Sequence, residues 1–169
     1  MTPSIDELAG LTEVVTTWRY PRVAVPAAPA AGADWSLTVP GGFRWRLVSL
    51  VGRLVTSATV ANRYPTLTLS DGTTVFARVP AITAAVASGT YFYWWAIGGG
   101  SYVPSTLTTP QSLWLPDMWL ESGYVVNANT SALDATDQWS QVAAYVVESR
   151  TGPPAPREVR AALDTDSVD

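Results

Sequence analysis

The stretch Val39-Pro40-Gly41-Gly42-Phe43-Arg44-Trp45-Arg46-Leu47-Val48-Ser49-Leu50-Val51-Gly52-Arg53-Leu54-Val55 decides the fold, together with its continuation through residues 56–69. A Pro-Gly-Gly turn opens it. Phe43, Trp45 and Leu47 then fall on one face and Arg44 and Arg46 on the other, the period-2 signature of a half-buried strand. From Val48 to Val55 both faces turn apolar, which predicts a strand in the middle of a sheet, covered on both sides. The expected strand runs over residues 43–59. A polar break at Ala61-Asn62-Arg63 ends it, and Tyr64 opens the next strand.

Working outward, Trp35, Leu37 and Val39 alternate in a short strand before the turn. After residue 69, Asp71-Gly72 between apolar runs marks a hairpin, with residues 74–79 pairing back. Residues 80–88 are ambiguous between strand and loop. Residues 90–97 hold five consecutive aromatics, Tyr91-Phe92-Tyr93-Trp94-Trp95, closed by Gly98-Gly99-Gly100. They read either as a strand with rings in the core or as a platform of exposed rings. The triple glycine reads as a mobile tip. Further strands are expected at residues 112–115, 124–130 and 138–148, with residues 116–123 as a loop or one helical turn. Short strands punctuated by turns, with no long helix and no repeat, predict an all-β antiparallel sandwich, jelly-roll-like.

The ends differ in character. Residues 1–33 read as an N-terminal arm closing in a Pro/Ala linker at residues 26–33, with residues 17–25 open to a second reading as an ordinary first strand. The compact domain is expected over residues 34–148. Residues 149–169 read as a Pro-rich linker and a C-terminal arm, with a short amphipathic helix at residues 157–163, Arg157-Glu158-Val159-Arg160-Ala161-Ala162-Leu163. Such a short helix does not hold alone in water, so docking on a neighbouring subunit is expected.

Composition narrows the chemistry. The net charge is −4, every basic residue is arginine, and no basic patch of the kind nucleic acid requires is visible. Cysteine and histidine are both absent, which excludes a disulfide framework, a thiolate zinc site and any His-based triad. No signal-peptide-like start and no membrane-length apolar run is found. Only 14% of residues are charged, while eight are tryptophan, a balance that points to apolar surface covered by partners. Asp117 and Glu121 could imitate a pair of glycosidase carboxylates, but solvated loop acids explain them more simply. Asp134 and Asp137, near Asn127 and Asn129, could offer oxygens to calcium, but turn-forming side chains explain the two aspartates better. Asn129-Thr130-Ser131 fits the glycosylation pattern by chance, and the triple glycine is not a phosphate loop.

Five segments together carry a resemblance. They are Val39-Pro40-Gly41-Gly42 leading into Trp45-Arg46-Leu47-Val48-Ser49-Leu50, Thr56-Ser57-Ala58-Thr59-Val60-Ala61-Asn62-Arg63, Asp71-Gly72, Leu115-Pro116 followed by Leu120 and Gly123, and Asp137-Gln138-Trp139-Ser140 running into Val146-Val147-Glu148. In this order they resemble a loosely defined group of tailed-bacteriophage virion proteins, over roughly residues 35–148. The resemblance implies one β-rich domain in an accessory head or tail component, and it carries over no catalytic position and no cofactor. The expectation is a non-enzymatic structural protein of the virion, assembled in the host cytoplasm. It would be a capsid decoration or minor capsid protein that binds the major capsid protein and its own copies, a trimer among the symmetries expected. A tail-tip or fibre-associated part is the alternative within this class. Outside it stands a carbohydrate-binding module for a host-surface glycan. Expected interface residues are Tyr91, Tyr93, Trp95, Trp114 and Trp119 in the domain, and Arg157, Arg160 and Leu163 in the arm.

Overall fold

The computed structural model describes residues 19–99 and 110–151. They form ten strands: β1 (Arg19–Ala24), β2 (Ser36–Thr38), β3 (Phe43–Val55), β4 (Tyr64–Ser70), β5 (Val75–Pro80), β6 (Thr90–Ile97), β7 (Pro110–Leu115), β8 (Trp119–Leu120), β9 (Val125–Ser131) and β10 (Gln138–Arg150). The architecture is a β-sandwich. A six-stranded sheet has the order β1-β10-β3-β6-β7, with β8 also pairing β3, and a four-stranded sheet has the order β2-β9-β4-β5. All pairings are antiparallel except β6 with β7, which is parallel. Parallel neighbours need a crossover of about a dozen residues, and residues 98–109 supply that length. The triple-glycine reading reaches only Gly98 and Gly99 here, both at positive φ, and Gly100 lies outside the described residues. So does the C-terminal helix expected at residues 157–163.

β3 is the spine of the larger sheet, as its sequence predicts, and β10 lies along its length. It ends earlier than expected, at Val55, because Thr56 leaves the ladder. The Thr56 amide donates to Gly89 O (2.9 Å), and the Thr56 hydroxyl donates to Val86 O (2.6 Å). Two bulges shape the β3–β10 pair. Val48 is an extra residue in β3, between the pairs Leu47–Val146 and Ser49–Tyr145. In β10 the extra residue comes at Gln141, whose φ is 51°. Each bulge bends its strand and increases its twist. A Cβ on Gly52 would lie 3.1 Å from the Trp139 ring, so the glycine lets that indole pack flat on the spine.

Trp35, Tyr93, Trp95 and Trp139 fill the space between the sheets and are almost wholly buried. Tyr93 stacks on Trp95 with centroids 5.5 Å apart, and Trp35 meets Trp139 edge-on at 6.3 Å. Aromatic pairs of this kind add about 0.5–1.5 kcal/mol beyond the area they bury. Asp34 ties the two layers together. Its carboxylate accepts from the Trp139 indole (2.9 Å) on one sheet and from the Thr130 hydroxyl (2.6 Å) and amide (2.8 Å) on the other.

Of the arm expected over residues 1–33, residues 19–33 pack onto the sandwich. The stretch with two readings forms strand at β1, paired with β10 along the edge of the larger sheet. Gly32 of the Pro/Ala linker, at φ 72°, donates its amide to Asp137 O (2.8 Å). A Cβ there would meet Ala135 Cα at 2.7 Å, a close approach that requires glycine. Residues 1–18 and 152–169 lie outside the described residues.

Arg63 and Asp137 form a densely hydrogen-bonded ion pair whose side chains are both fully buried. All five guanidinium N–H groups are used. Arg63 Nε donates to Asp137 Oδ2 (2.8 Å) and Nη2 to Oδ1 (3.1 Å). Nη1 serves Thr59 O and Ala61 O (both 2.9 Å), and Nη2 also reaches Ser57 Oγ (3.0 Å). Asp137 accepts in addition from the amides of Ser57 (2.7 Å) and Asp134 (2.8 Å). Burial pushes the Asp137 pKa up, but Arg63 and these amides outweigh it and hold the carboxyl below its usual value. Its stabilising contribution is therefore complete above the ordinary carboxylate range near pH 4 and is lost as pH falls through the depressed folded value.

Replacing Asp137 by Asn leaves a buried, unmatched guanidinium, so urea unfolding at pH 7 should show a loss of about 3–5 kcal/mol. Measured from about pH 4 downward, the stability of the variant should fall less steeply than that of the parent. A parallel pH dependence would contradict this role for Asp137.

Candidate functional site

Alternation along β6 sorts the aromatic block into two sets. Tyr91, Tyr93 and Trp95 point between the sheets and are buried, whereas Phe92 and Trp94 face the other side of the larger sheet. The interface role expected of Tyr91, Tyr93 and Trp95 is thus corrected: they are core. Trp95 pairs across from Leu50 and Tyr93 from Gly52, both on the inner face of β3. Burial pushes the Tyr93 phenol well up from its ordinary value, and the Tyr91 hydroxyl accepts from the Val86 amide (2.9 Å). The sequence did contain a signal, because the odd positions continue to Ile97, which packs on the core, while the even ones run out into alanine and glycine.

Trp114 and Trp119 do lie on the outer side of the larger sheet. Trp114 is 60% exposed. Arg157, Arg160 and Leu163 lie outside the described residues.

The outer side of the larger sheet reads as rows across strands. One row is Val23, Tyr145, Ser49, Ala96 and Trp114. The next is Ala143, Val51, Trp94 and Ser112, followed by Ser140, Arg53, Phe92 and Pro110. Val23 (60% exposed), Tyr145 (43%) and Val51 (38%) are open to solvent together with Trp114. The corresponding row of the smaller sheet is Ser36, Asn127, Thr68 and Arg78, and Thr68 donates its hydroxyl to the Asn127 side chain. One outer face thus carries hydroxyls and amides in this row, alongside exposed Tyr64, Val75 and Phe76 on β4 and β5. The other is aromatic and aliphatic across five strands. Sequence reasoning missed Val23, Val51 and Tyr145 as surface, because their residue types read as core; it offered the aromatic block as an exposed platform but selected Tyr91, Tyr93 and Trp95 rather than Phe92 and Trp94.

Arginines frame this apolar face. At one end Arg19 and Arg44 sit over the Trp119 ring, with guanidinium carbons 5.5 and 4.7 Å from its centroid. Arg53 lies 5.9 Å from the Phe92 centroid at the other end. Such cation–π contacts leave a guanidinium edge free for an acceptor. The Nε atoms of Arg44 and Arg53 are buried without a hydrogen-bond partner, as is the Ser149 hydroxyl between Arg19 and Arg44. Among the described residues on this face, Arg46 is matched by a two-pronged bond to Asp117 (2.6 Å each). That bond holds the Asp117 carboxyl below its usual range and raises Arg46.

The other sequence candidates fall elsewhere. Asp117 is this exposed ion-pair partner, the opposite of the raised acid that a glycosidase pair requires, and Glu121 sits in the turn before Tyr124. Asp134 accepts from the Thr136 hydroxyl (2.7 Å) and amide (3.0 Å) in a local turn, bonds that lower its pKa to about 2. Asp137 belongs to the buried pair. Among the described residues no group of three or more acids could hold a metal ion, and no helix is long and apolar enough to cross a membrane.

Comparison with known proteins adds little. No family model matches the chain, and no curated protein does. Among solved structures, one described as "Structure of PfGH50B" matches over 81% of this chain and 23% of that chain, at 10% identity and a TM-score of 0.30. The chain thus spans about a quarter of the length of that structure, and a likeness so slight carries no argument about function.

Proposed function

We propose that this chain is a non-enzymatic structural subunit of a tailed-bacteriophage virion. It acts as a capsid decoration or minor capsid protein that binds and stabilises the major capsid lattice. One observation carries the assembly part of this reading: the apolar outer side of the larger sheet. Between Val48 and Val55 the inner face of β3 is buried, whereas on the outer one Val51 is exposed and Ser49 and Arg53 are only partly covered. A sheet face of this composition is suited to a protein neighbour, with Trp94, Trp114 and Tyr145 as anchors and arginines at its rim. The virion part rests on the segment resemblance. A tail-tip or fibre-associated role shares the same physics and differs in copy number. A glycan-binding module would rely on Trp114, the most open ring of the face.

Quantitative mass spectrometry of purified virions tests the role. The account expects the chain at hundreds of copies per particle; a handful would indicate a tail part, and absence would refute the reading. Val51→Glu and Trp114→Glu should each leave unfolding stability within about 0.5–1 kcal/mol of the parent while weakening particle binding by about thirtyfold. Normal incorporation of both variants would remove the face from the interface. Quenching or shift of tryptophan fluorescence on titration with glycans, with no chain in particles, would favour the carbohydrate module.

A further inference from the structure

Near one end of the larger sheet, β1 and β3 carry two arginines each. On each strand one of the two is matched by an acid of the chain, Arg22 by Glu148 (3.0 Å) and Arg46 by Asp117 (2.6 Å). The other, Arg19 on β1 and Arg44 on β3, has no carboxylate within ion-pair distance among the described residues. The fold thus supplies counter-charges at this end and leaves two cations without one.

The same two cations are brought together. Arg19 pairs with Ser149 on β10, and Ser149 with Arg44 on β3, so the three form one row across the outer side of the sheet. Two strand spacings, about 10 Å, separate the arginine backbones. Both guanidinium carbons nevertheless stand over the one Trp119 ring, 5.5 and 4.7 Å from its centroid. The ring steadies each guanidinium and leaves N–H edges for an acceptor. Ser149 lies between the two arginines in the row and is wholly buried, and neither its hydroxyl nor Arg44 Nε has a hydrogen-bond partner. Unpaired buried donors are costly, and two like charges set side by side repel. One oxyanion between the guanidiniums meets all of these demands.

We propose that Arg19, Ser149 and Arg44, walled by Trp119, form a binding site for a carboxylate offered by another polypeptide chain. The acid accepts N–H bonds from both guanidiniums and the hydroxyl bond of Ser149. Arg46 and Asp117 show this chemistry one row away, as a two-pronged arginine–carboxylate bond on the same face. The net charge of −4 repels anions in general, so attraction here is local to the arginine pair. The site lies at the end of the apolar face, where a neighbour's acidic side chain can rim a contact whose centre is apolar. It rests on the assembly reading for the identity of that neighbour, but not for its own affinity.

The test uses the full chain, isotope-labelled and at low salt, titrated with a blocked tetraglutamate peptide. The Trp119 indole resonance should shift saturably, and those of the buried Trp35 and Trp139 should not. Arg19→Gln together with Arg44→Gln should weaken binding about tenfold or more while the spectrum stays dispersed, and Ser149→Ala about threefold. Arg78→Gln, on the smaller sheet, should leave binding within about twofold of the parent. No saturable shift, or an equal loss from Arg78→Gln, overturns the site. Tighter binding of inorganic phosphate than of the peptide overturns the carboxylate assignment. A shift that appears only once the acids of residues 1–18 and 152–169 are replaced by their amides puts the chain's own ends in the site and overturns the outside donor. Because the titration uses the isolated chain, peptide binding alongside normal particle incorporation of Val51→Glu and Trp114→Glu supports the site while refuting the assembly face.

Discussion

The buried Arg63–Asp137 pair is the constraint on which the sandwich depends, because four of its inter-sheet connections meet there. Arg63 closes the segment from β3 to β4, and Asp137 closes the one from β9 to β10. The connection from β1 to β2 joins through the Gly32 amide on Asp137 O, and the one from β5 to β6 through the reciprocal amide bonds of Ala85 and Arg63. Two ions are costly to bury, and the cost is offset only when every donor and acceptor has a partner. Here the arginine's donors are all used, so removing either ion strands the other and loosens several chain segments at once. At the opposite end the two remaining connections tie to each other, Val39 to Tyr124 and Gly123 back to Val39.

With the two sheets fixed in that way, their outer faces are free to differ, and they do. The smaller sheet presents threonine, serine and asparagine beside exposed Tyr64, Val75 and Phe76. The larger presents valine, tryptophan and tyrosine, bounded by arginines that sit over Trp119 and Phe92. A stable core needs only the inner set: Leu50, Leu54, Tyr93, Trp95 and Trp139. Val51 and Trp114 lie outside that core and are exposed among the described residues.

The inner face was legible in the sequence because alternation reports which residues share a side. The alternation of Phe43, Trp45 and Leu47, the Asp71-Gly72 hairpin and the β10 run can each be read locally. The aromatic block was legible only in part: five rings in succession put either three or two inward, the odd positions running on to Ile97 favour the three, and the pairing of Trp95 with Leu50 settles it. The apolar run from Val48 to Val55 was read as covered on both sides. That reading holds for the inner side, while the described chain leaves the outer one open. Asp137 was placed in a turn, which is correct as far as it goes, but its partner lies 74 residues away and no local pattern announces such a pairing. The parallel β6–β7 pair and the packing of Gly32 on Ala135 are long-range in the same sense.

The central claim is that the outer side of the larger sheet is where this protein meets its assembly. Hydroxyl-radical footprinting of the free chain and of the assembled particle, read by mass spectrometry at individual side chains, tests it most directly. The account predicts that oxidation of Trp94, Trp114 and Tyr145 falls sharply on assembly while that of Tyr64 and Phe76, on the smaller sheet, changes little. Protection of Tyr64 and Phe76 with Trp114 and Tyr145 still oxidised as in the free chain would contradict it.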